Sequence, residues 1–177
     1  MPVYRWTSFV SGRRLFVVMT AMLSASGAAQ NFERTPYWAP ENWTVTTYRA
    51  GDSREFLRCS AERHYGDGLA LTIAKASAGN IVLGFTSPRW PYEDRSIHDI
   101  ELRIDTGERM SFSGRVRVLP SGPIVFVDLE PTSHVIPAIS TGRQLNVSSP
   151  EIALAIDLTG SAAAVASVDQ CHRDGSE

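Results

Sequence analysis

Asp105-Thr106-Gly107 follows an apolar stretch of the chain, and this pattern could carry a catalytic carboxylate. In hydrolases that work with two aspartates, each carboxylate lies on such a loop and the pair shares one proton. The motif stands alone here and is followed by Glu108 and Arg109 rather than by small residues, so that chemistry would require a dimer. A hairpin turn explains the tripeptide equally well. We favour the turn and keep Asp105 for the alternative function, a small periplasmic hydrolase.

A second group of side chains offers oxygen and imidazole ligands, namely Glu93, Asp94, His98 and Asp99. These residue types bind divalent cations, but their spacing follows no recognised cation-binding loop. A solvated acidic loop is the favoured interpretation, and a metal-dependent enzyme remains part of the alternative function. No phosphate loop, dinucleotide fingerprint or haem motif occurs in the sequence. We therefore predict no catalytic residue, no metal and no cofactor for the main hypothesis.

The segment 87–98 combines aromatic residues with charges of both signs between two predicted strands. This composition is typical of a recognition loop that contacts a protein or an envelope polymer. Trp90 could equally cap the open end of a β core, and the sequence leaves both interpretations open. The candidate partner-binding residues are Arg89, Trp90, Tyr92, Glu93 and Asp94.

Residues 1–29 have the three parts of an export signal. Arg5, Arg13 and Arg14 form a positive start, an apolar run covers 15–23, and small residues lead to a cleavage point before Gln30. The apolar run is shorter than the roughly 20 residues that a membrane span requires. The sequence thus predicts a periplasmic or secreted protein without a stable membrane span. General secretion is favoured over the twin-arginine route, which the Arg13-Arg14 pair leaves open.

The two cysteines, Cys59 and Cys171, are an even pair in an exported chain. In an oxidising compartment such a pair is most simply one disulfide. Alternation places Cys59 on the same strand face as Leu57 and Ala61. Two buried free thiols are the alternative, whereas a metal site lacks the usual ligand spacing. We predict that Cys59 and Cys171 are bonded to each other.

Composition and charge narrow the class of protein. Of 177 residues, 43% are hydrophobic and 20% are charged, which is ordinary for a globular domain. Removal of the first 29 residues takes away three of the 17 basic residues and none of the 19 acidic ones. The mature chain is therefore acidic, and this balance argues against nucleic acid as a partner.

Hydrophobic alternation with period two dominates the chain from Trp43 onward. It predicts strands over 43–48, 55–62, 69–75, 80–86, 99–105, 111–118, 124–129, 144–148 and 151–158. An alanine-rich stretch predicts a helix over 161–171, and a short helix is expected within 131–141. The predicted fold is mainly β, a β-sandwich or partly open barrel, with one C-terminal α-helix. Around a single domain at 43–172 we expect an irregular leader at 30–42 and a disordered tail at 173–177.

The order of these features resembles the invasion-associated locus B family of exported alphaproteobacterial proteins. The matching pieces are Trp43-Thr44-Val45, Cys59, and the stretches 100–105, 142–147 and 157–164. The resemblance implies a small β-sandwich of the periplasm or cell envelope, linked to host interaction in some members and without established catalytic residues. We therefore expect a non-enzymatic envelope protein that binds a protein or polymer partner, of unknown oligomeric state, with a role in host interaction or envelope integrity.

Overall fold

The computed structural model describes residues 32–38 and 41–176, which form one large antiparallel sheet and two α-helices. The predicted export signal at 1–29 lies outside the described residues. The strands are β1 (Phe32–Trp38), β2 (Thr44–Ala50), β3 (Phe56–His64), β4 (Ala70–Ala76), β5 (Ile81–Thr86), β6 (Ile97–Ile104), β7 (Arg109–Leu119), β8 (Gly122–Leu129), β9 (Gln144–Ser148) and β10 (Ala153–Asp157). The α-helices are α1 (Val135–Thr141) and α2 (Ser161–Ser176), and a short 3₁₀ helix covers Gly66–Gly68.

The mainly β fold with a C-terminal helix is confirmed. Each of the nine predicted strands corresponds to one of β2–β10, and the short helix expected within 131–141 is α1. The strands lie in the order β1-β2-β3-β4-β5-β8-β7-β6-β9-β10, so β1 and β10 are the two edges of an open sheet. All the pairings are antiparallel.

The structure differs from the expected boundaries at both ends of the domain. The leader expected to be irregular contains β1, which pairs with β2 from Phe32 opposite Ala50 to Trp38 opposite Val45. The tail expected to be disordered continues α2 as far as Ser176. Gly175 makes this extension fit, because a side chain there would lie only 2.5 Å from the ring of Phe56.

One face of the sheet carries the hydrophobic core, and α2 packs on that face against β2, β3 and β4. The helix offers mainly small apolar side chains, with Ala164 and Val168 buried. Polar contacts help to hold it: Lys75 Nζ lies 2.7 Å from Asp169 Oδ1, and His172 Nε2 lies 3.0 Å from the Ala76 carbonyl oxygen. No helix of the described part of the chain has the length and hydropathy needed to cross a membrane.

The predicted disulfide is present and ties the helix to the sheet. Cys59 on β3 and Cys171 on α2 are bonded, with their Cα atoms 6.1 Å apart. Both residues are fully buried in the core. Thr47 Oγ1 lies 3.2 Å from Cys171 Sγ, so the bridge is also in contact with β2.

Arg63 brings the end of β10 against β3 on the core side of the sheet. Its guanidinium donates to the carbonyl oxygens of Asp157 and Thr159, at 3.3 and 2.6 Å, and to Asp157 Oδ2 at 2.7 Å. Tyr65 adds a hydroxyl hydrogen bond of 2.6 Å to the Asp157 carbonyl oxygen. Hydrogen bonds from Thr159 and the nearby Arg63 charge hold the pKa of Asp157 below its usual range. Burial raises the pKa of Tyr65 to about 12.

Candidate ligand groove

The aromatic residues of the segment 87–98 point toward the core. Tyr92 is only 6% exposed, and its hydroxyl lies 2.6 Å from Ser149 Oγ. Its ring stacks on that of His98 at 3.9 Å between centroids. Trp90 is half-buried, lies 6.0 Å from the Tyr92 ring and packs against the core cluster. These two aromatics therefore pack against the core, and a role of Arg89, Trp90, Tyr92, Glu93 and Asp94 in binding a partner stays a prediction.

The charged candidates of the same segment lie at the surface. Arg89 reaches Asp67 at 3.3 Å, with both side chains largely exposed, and Glu93 is exposed as well. Asp94 Oδ1 accepts hydrogen bonds from the Val118 backbone N–H at 3.0 Å and from Arg117 Nε at 3.1 Å. These contacts hold the pKa of Asp94 below its usual range, the backbone hydrogen bond most strongly. The role of Asp94 in the described structure is to anchor the loop to β7.

Asp105 lies on the turn between β6 and β7, as the hairpin interpretation predicted. Its carboxylate accepts hydrogen bonds from the backbone N–H groups of Arg143 at 3.1 Å and of Gln144 at 2.9 Å. These bonds fix the start of β9 beside the turn. The geometry gives Asp105 a structural task at this turn.

The acidic cluster at 93–99 does not converge on a common point. His98 Nε2 lies 2.9 Å from Ser96 Oγ, while Asp94 turns toward Arg117. Within residues 32–38 and 41–176, no three His, Cys, Asp or Glu side chains are placed so that they could hold a metal ion.

A concavity lies on the sheet face opposite α2, and we call it the sheet-face groove. Its volume is about 620 Å³. The floor is made by the outward positions of β4 and β5, which carry only small or short side chains. These are Ala70, Thr72, Ala74 and Ala76 on β4, and Val82, Gly84 and Thr86 on β5.

The two walls of the groove differ in character. On one side lie polar residues of the strands before the floor, namely Arg34, Tyr48, Arg58, Ser60, Glu62 and His64. On the other side, Leu119, Ile124 and Phe126 provide apolar surface next to the charged pair of Arg115 and Asp128. The absence of a side chain at Gly84 lets Ile124 of the second wall approach the floor closely, because a Cβ at position 84 would be 3.3 Å from the Ile124 side chain.

Two arginines flank Tyr48 at one end of the groove. The guanidinium carbon of Arg58 lies 4.4 Å from the centre of the Tyr48 ring, and that of Arg34 lies 5.6 Å from it. Such cation–π contacts hold a guanidinium in place without neutralising its charge. Neither arginine forms an ion pair with any carboxylate of the described residues.

The other charged or ionisable residues of the groove lie in close pairs, and the contact between His64 and Glu62 is an ion pair only when His64 is protonated. Arg115 Nη2 lies 2.6 Å from Asp128 Oδ2, and His64 Nε2 lies 3.0 Å from Glu62 Oε1. The excess positive charge of the groove is therefore concentrated at Arg34 and Arg58.

The hydrophobic alternation of the strands does not predict this groove, although the size of the outward side chains indicates it. An outward strand position of a solvated sheet usually carries a long polar side chain, and β4 instead places alanine or threonine at every outward position. Hydrophobic alternation assigns these positions to the outer face of the sheet. It does not distinguish an ordinary solvent-exposed face from the floor of a ligand groove. The feature that indicates the groove is the small size of the side chains at the outward positions of the adjacent strands β4 and β5.

No family model, no curated protein and no solved structure matches this chain. The resemblance to the invasion-associated locus B family stays a prediction.

Proposed function

We propose that the chain is an exported binding protein, without enzymatic activity, whose ligand lies in the sheet-face groove. The observation that carries this proposal is the continuous floor of small side chains between two taller walls. A volume of about 620 Å³ lies within the usual range for ligand pockets. Because the floor strands are central in the sheet, the groove is preformed and loses little conformational entropy on binding.

Two residues of the alternative enzymatic function, Asp105 and Asp94, make structural contacts outside the groove. Asp105 binds two backbone N–H groups on a hairpin turn, and Asp94 binds β7. Neither lines the groove. This separation favours a protein that holds its ligand over one that transforms it.

We propose that the protein works in the periplasm or outside the cell, in envelope integrity or host interaction. The buried disulfide supports an oxidising compartment, where such bonds persist. The protein purified from its native cells should begin near Gln30, and the mass of the intact chain checks this. A cytoplasmic chain that retains Met1 would contradict the prediction.

Filling the floor of the groove should abolish binding there. Ala74 lies in the middle of β4 and is half-buried, so a phenyl group at this position occupies the space above the floor. We expect Ala74→Phe to weaken binding of N-phenyl-1-naphthylamine, an uncharged apolar fluorescent probe, by at least about tenfold, equivalent to about 1.4 kcal/mol. Probe fluorescence during titration measures the affinity.

Ala155→Phe is the matched control, because Ala155 is exposed on the outer face of β10 and lies outside the groove. It should leave the affinity for the probe unchanged, and circular dichroism should show that both variants are folded. If the wild type and Ala74→Phe bind N-phenyl-1-naphthylamine with equal affinity, the groove is not the binding site.

A further inference from the structure

We propose that the sheet-face groove takes a single-chain fatty carboxylate, with the carboxylate at Arg34 and Arg58 and the alkyl chain along β4 and β5. This inference rests on the proposed function, because it assigns the ligand class of the same site. It follows from the charge at one end of the groove, the chemistry of the floor and the distribution of the remaining charges.

The carboxylate end is defined by the two arginines around Tyr48. A guanidinium offers several N–H donors in a plane that matches the two oxygens of a carboxylate. Tyr48 holds Arg58 at 4.4 Å and Arg34 at 5.6 Å from its ring centre, which limits the motion of both side chains. Since neither pairs with a carboxylate of the described residues, an anionic ligand completes this arrangement rather than displacing an existing ion pair.

The body of the ligand is defined by the floor. The backbone N–H and C=O groups of β4 are hydrogen-bonded to β3 on one side and to β5 on the other. Those of β5 are hydrogen-bonded to β4 and to β8. The floor thus presents methyl and methylene groups with a few hydroxyls, and no free strand edge. On the floor itself a peptide or a glycan would find only the hydroxyls of Thr72 and Thr86 as partners. Each polar group that loses water there without a partner is costly. An alkyl chain has no such groups.

The opposite wall favours the same ligand. Ile124, Phe126 and Leu119 line it with apolar surface, and Val82 extends that surface onto the floor. Burial of an alkyl chain against these side chains is favourable in proportion to the area removed from water. The seven residues of β4 give the floor a length of about 20 Å, enough for an extended chain.

The position of the charges sets the direction of the ligand. Arg58 lies opposite Ala76 in the β3–β4 register, whereas Glu62 lies opposite Thr72 and His64 opposite Ala70. A carboxylate at the Ala70 end would lie beside His64 and the carboxylate of Glu62, whereas at the Ala76 end it lies beside Arg58. The alkyl chain consequently points from Ala76 toward Ala70.

Displacement of N-phenyl-1-naphthylamine by three probes of equal chain length tests this inference. Dodecanoate should displace the bound dye at concentrations about tenfold lower than dodecanol or dodecylammonium, because only the carboxylate gains charge-assisted hydrogen bonds. In Arg58→Gln this preference should be lost while affinity for the neutral dye is retained. Arg103→Gln, which removes an arginine outside the groove on β6, should keep the preference.

The outcomes separate this inference from the proposed function. If dodecanol competes as well as dodecanoate while Ala74→Phe blocks the dye, the groove binds ligands but the carboxylate assignment is wrong. If an acidic oligopeptide displaces the dye and dodecanoate does not, the ligand is a polymer and the inference is wrong. If Ala74→Phe leaves dye binding unchanged, the inference and the proposed function both fail.

Discussion

Replacement of Cys171 by alanine should lower the free energy of unfolding by about 2–5 kcal/mol and the melting temperature by about 4–20 °C. The bond joins residues 112 positions apart, and its loss releases a long loop in the unfolded chain. In the native state it also holds α2, whose buried contacts with the sheet come mainly from small side chains. Thermal and urea unfolding under non-reducing conditions measure both quantities.

Three controls isolate the covalent bond from the change of side chain. The double variant Cys59→Ala/Cys171→Ala should be about as stable as Cys171→Ala, and reduction should destabilise the wild type alone. Limited proteolysis of the reduced wild type should cut within α2 before the sheet is cut, because the helix then depends on its weak apolar contacts. An unchanged unfolding midpoint after reduction would contradict the role assigned to the bond.

Replacement of Arg63 by methionine should cost about 2–3 kcal/mol of stability, because its charge-assisted hydrogen bonds are lost in a nearly buried site. The methionine retains most of the side-chain volume but removes the Arg63 donor from the Asp157 and Thr159 carbonyl oxygens, which keep only the hydrogen bonds from Tyr65 and Trp43. Arg115→Met is the matched control for stability, since Arg115 also pairs with an aspartate but both side chains are more than half exposed. It should cost less than about 1 kcal/mol. Equal losses in the two variants, measured by urea unfolding, would contradict the assigned closure at β10.

The dependence of the free energy of unfolding on pH in the acid range provides a second test of the role of Arg63. The pKa of Asp157 is lowered in the folded protein, first by Thr159 and further by Arg63. The contribution of Asp157 is therefore complete above the usual carboxyl pKa of 3.8 and is lost as the pH falls through the lowered value. Without Arg63 the pKa of Asp157 in the folded protein lies closer to 3.8. The contribution of Asp157 to the free energy of unfolding is then smaller, and it is lost at a higher pH than in the wild type.

The strands of the core were predictable because each buries one face and solvates the other. Ile100, Leu102 and Ile104 alternate with polar neighbours, and the structure places these three in the core. β1 escaped prediction because all its residues are exposed, so its sequence has no alternation to detect. Its place in the sheet comes from backbone pairing with β2, which leaves no trace in residue types.

The candidate site was harder to predict than the fold. The composition of the segment 87–98 fits an interface and a core cap equally, and it does not predict that Tyr92 is buried. The groove depends on residues from seven strands that come together through the strand order β5-β8-β7, a crossover that the sequence pattern did not specify. The disulfide was predictable, because parity and the expected export left one simple pairing.

The central claim, that the sheet-face groove is the ligand site, is tested most directly by mapping the bound probe onto the sequence. Backbone amide chemical shifts should be recorded by NMR while the mature protein is titrated with N-phenyl-1-naphthylamine. The account predicts that the largest changes cluster on the floor and walls, at Thr72, Ala74, Gly84 and Phe126 and their neighbours. Changes confined to the segment 87–98 or to the outer face of β9 and β10, with these amides unmoved, would contradict it.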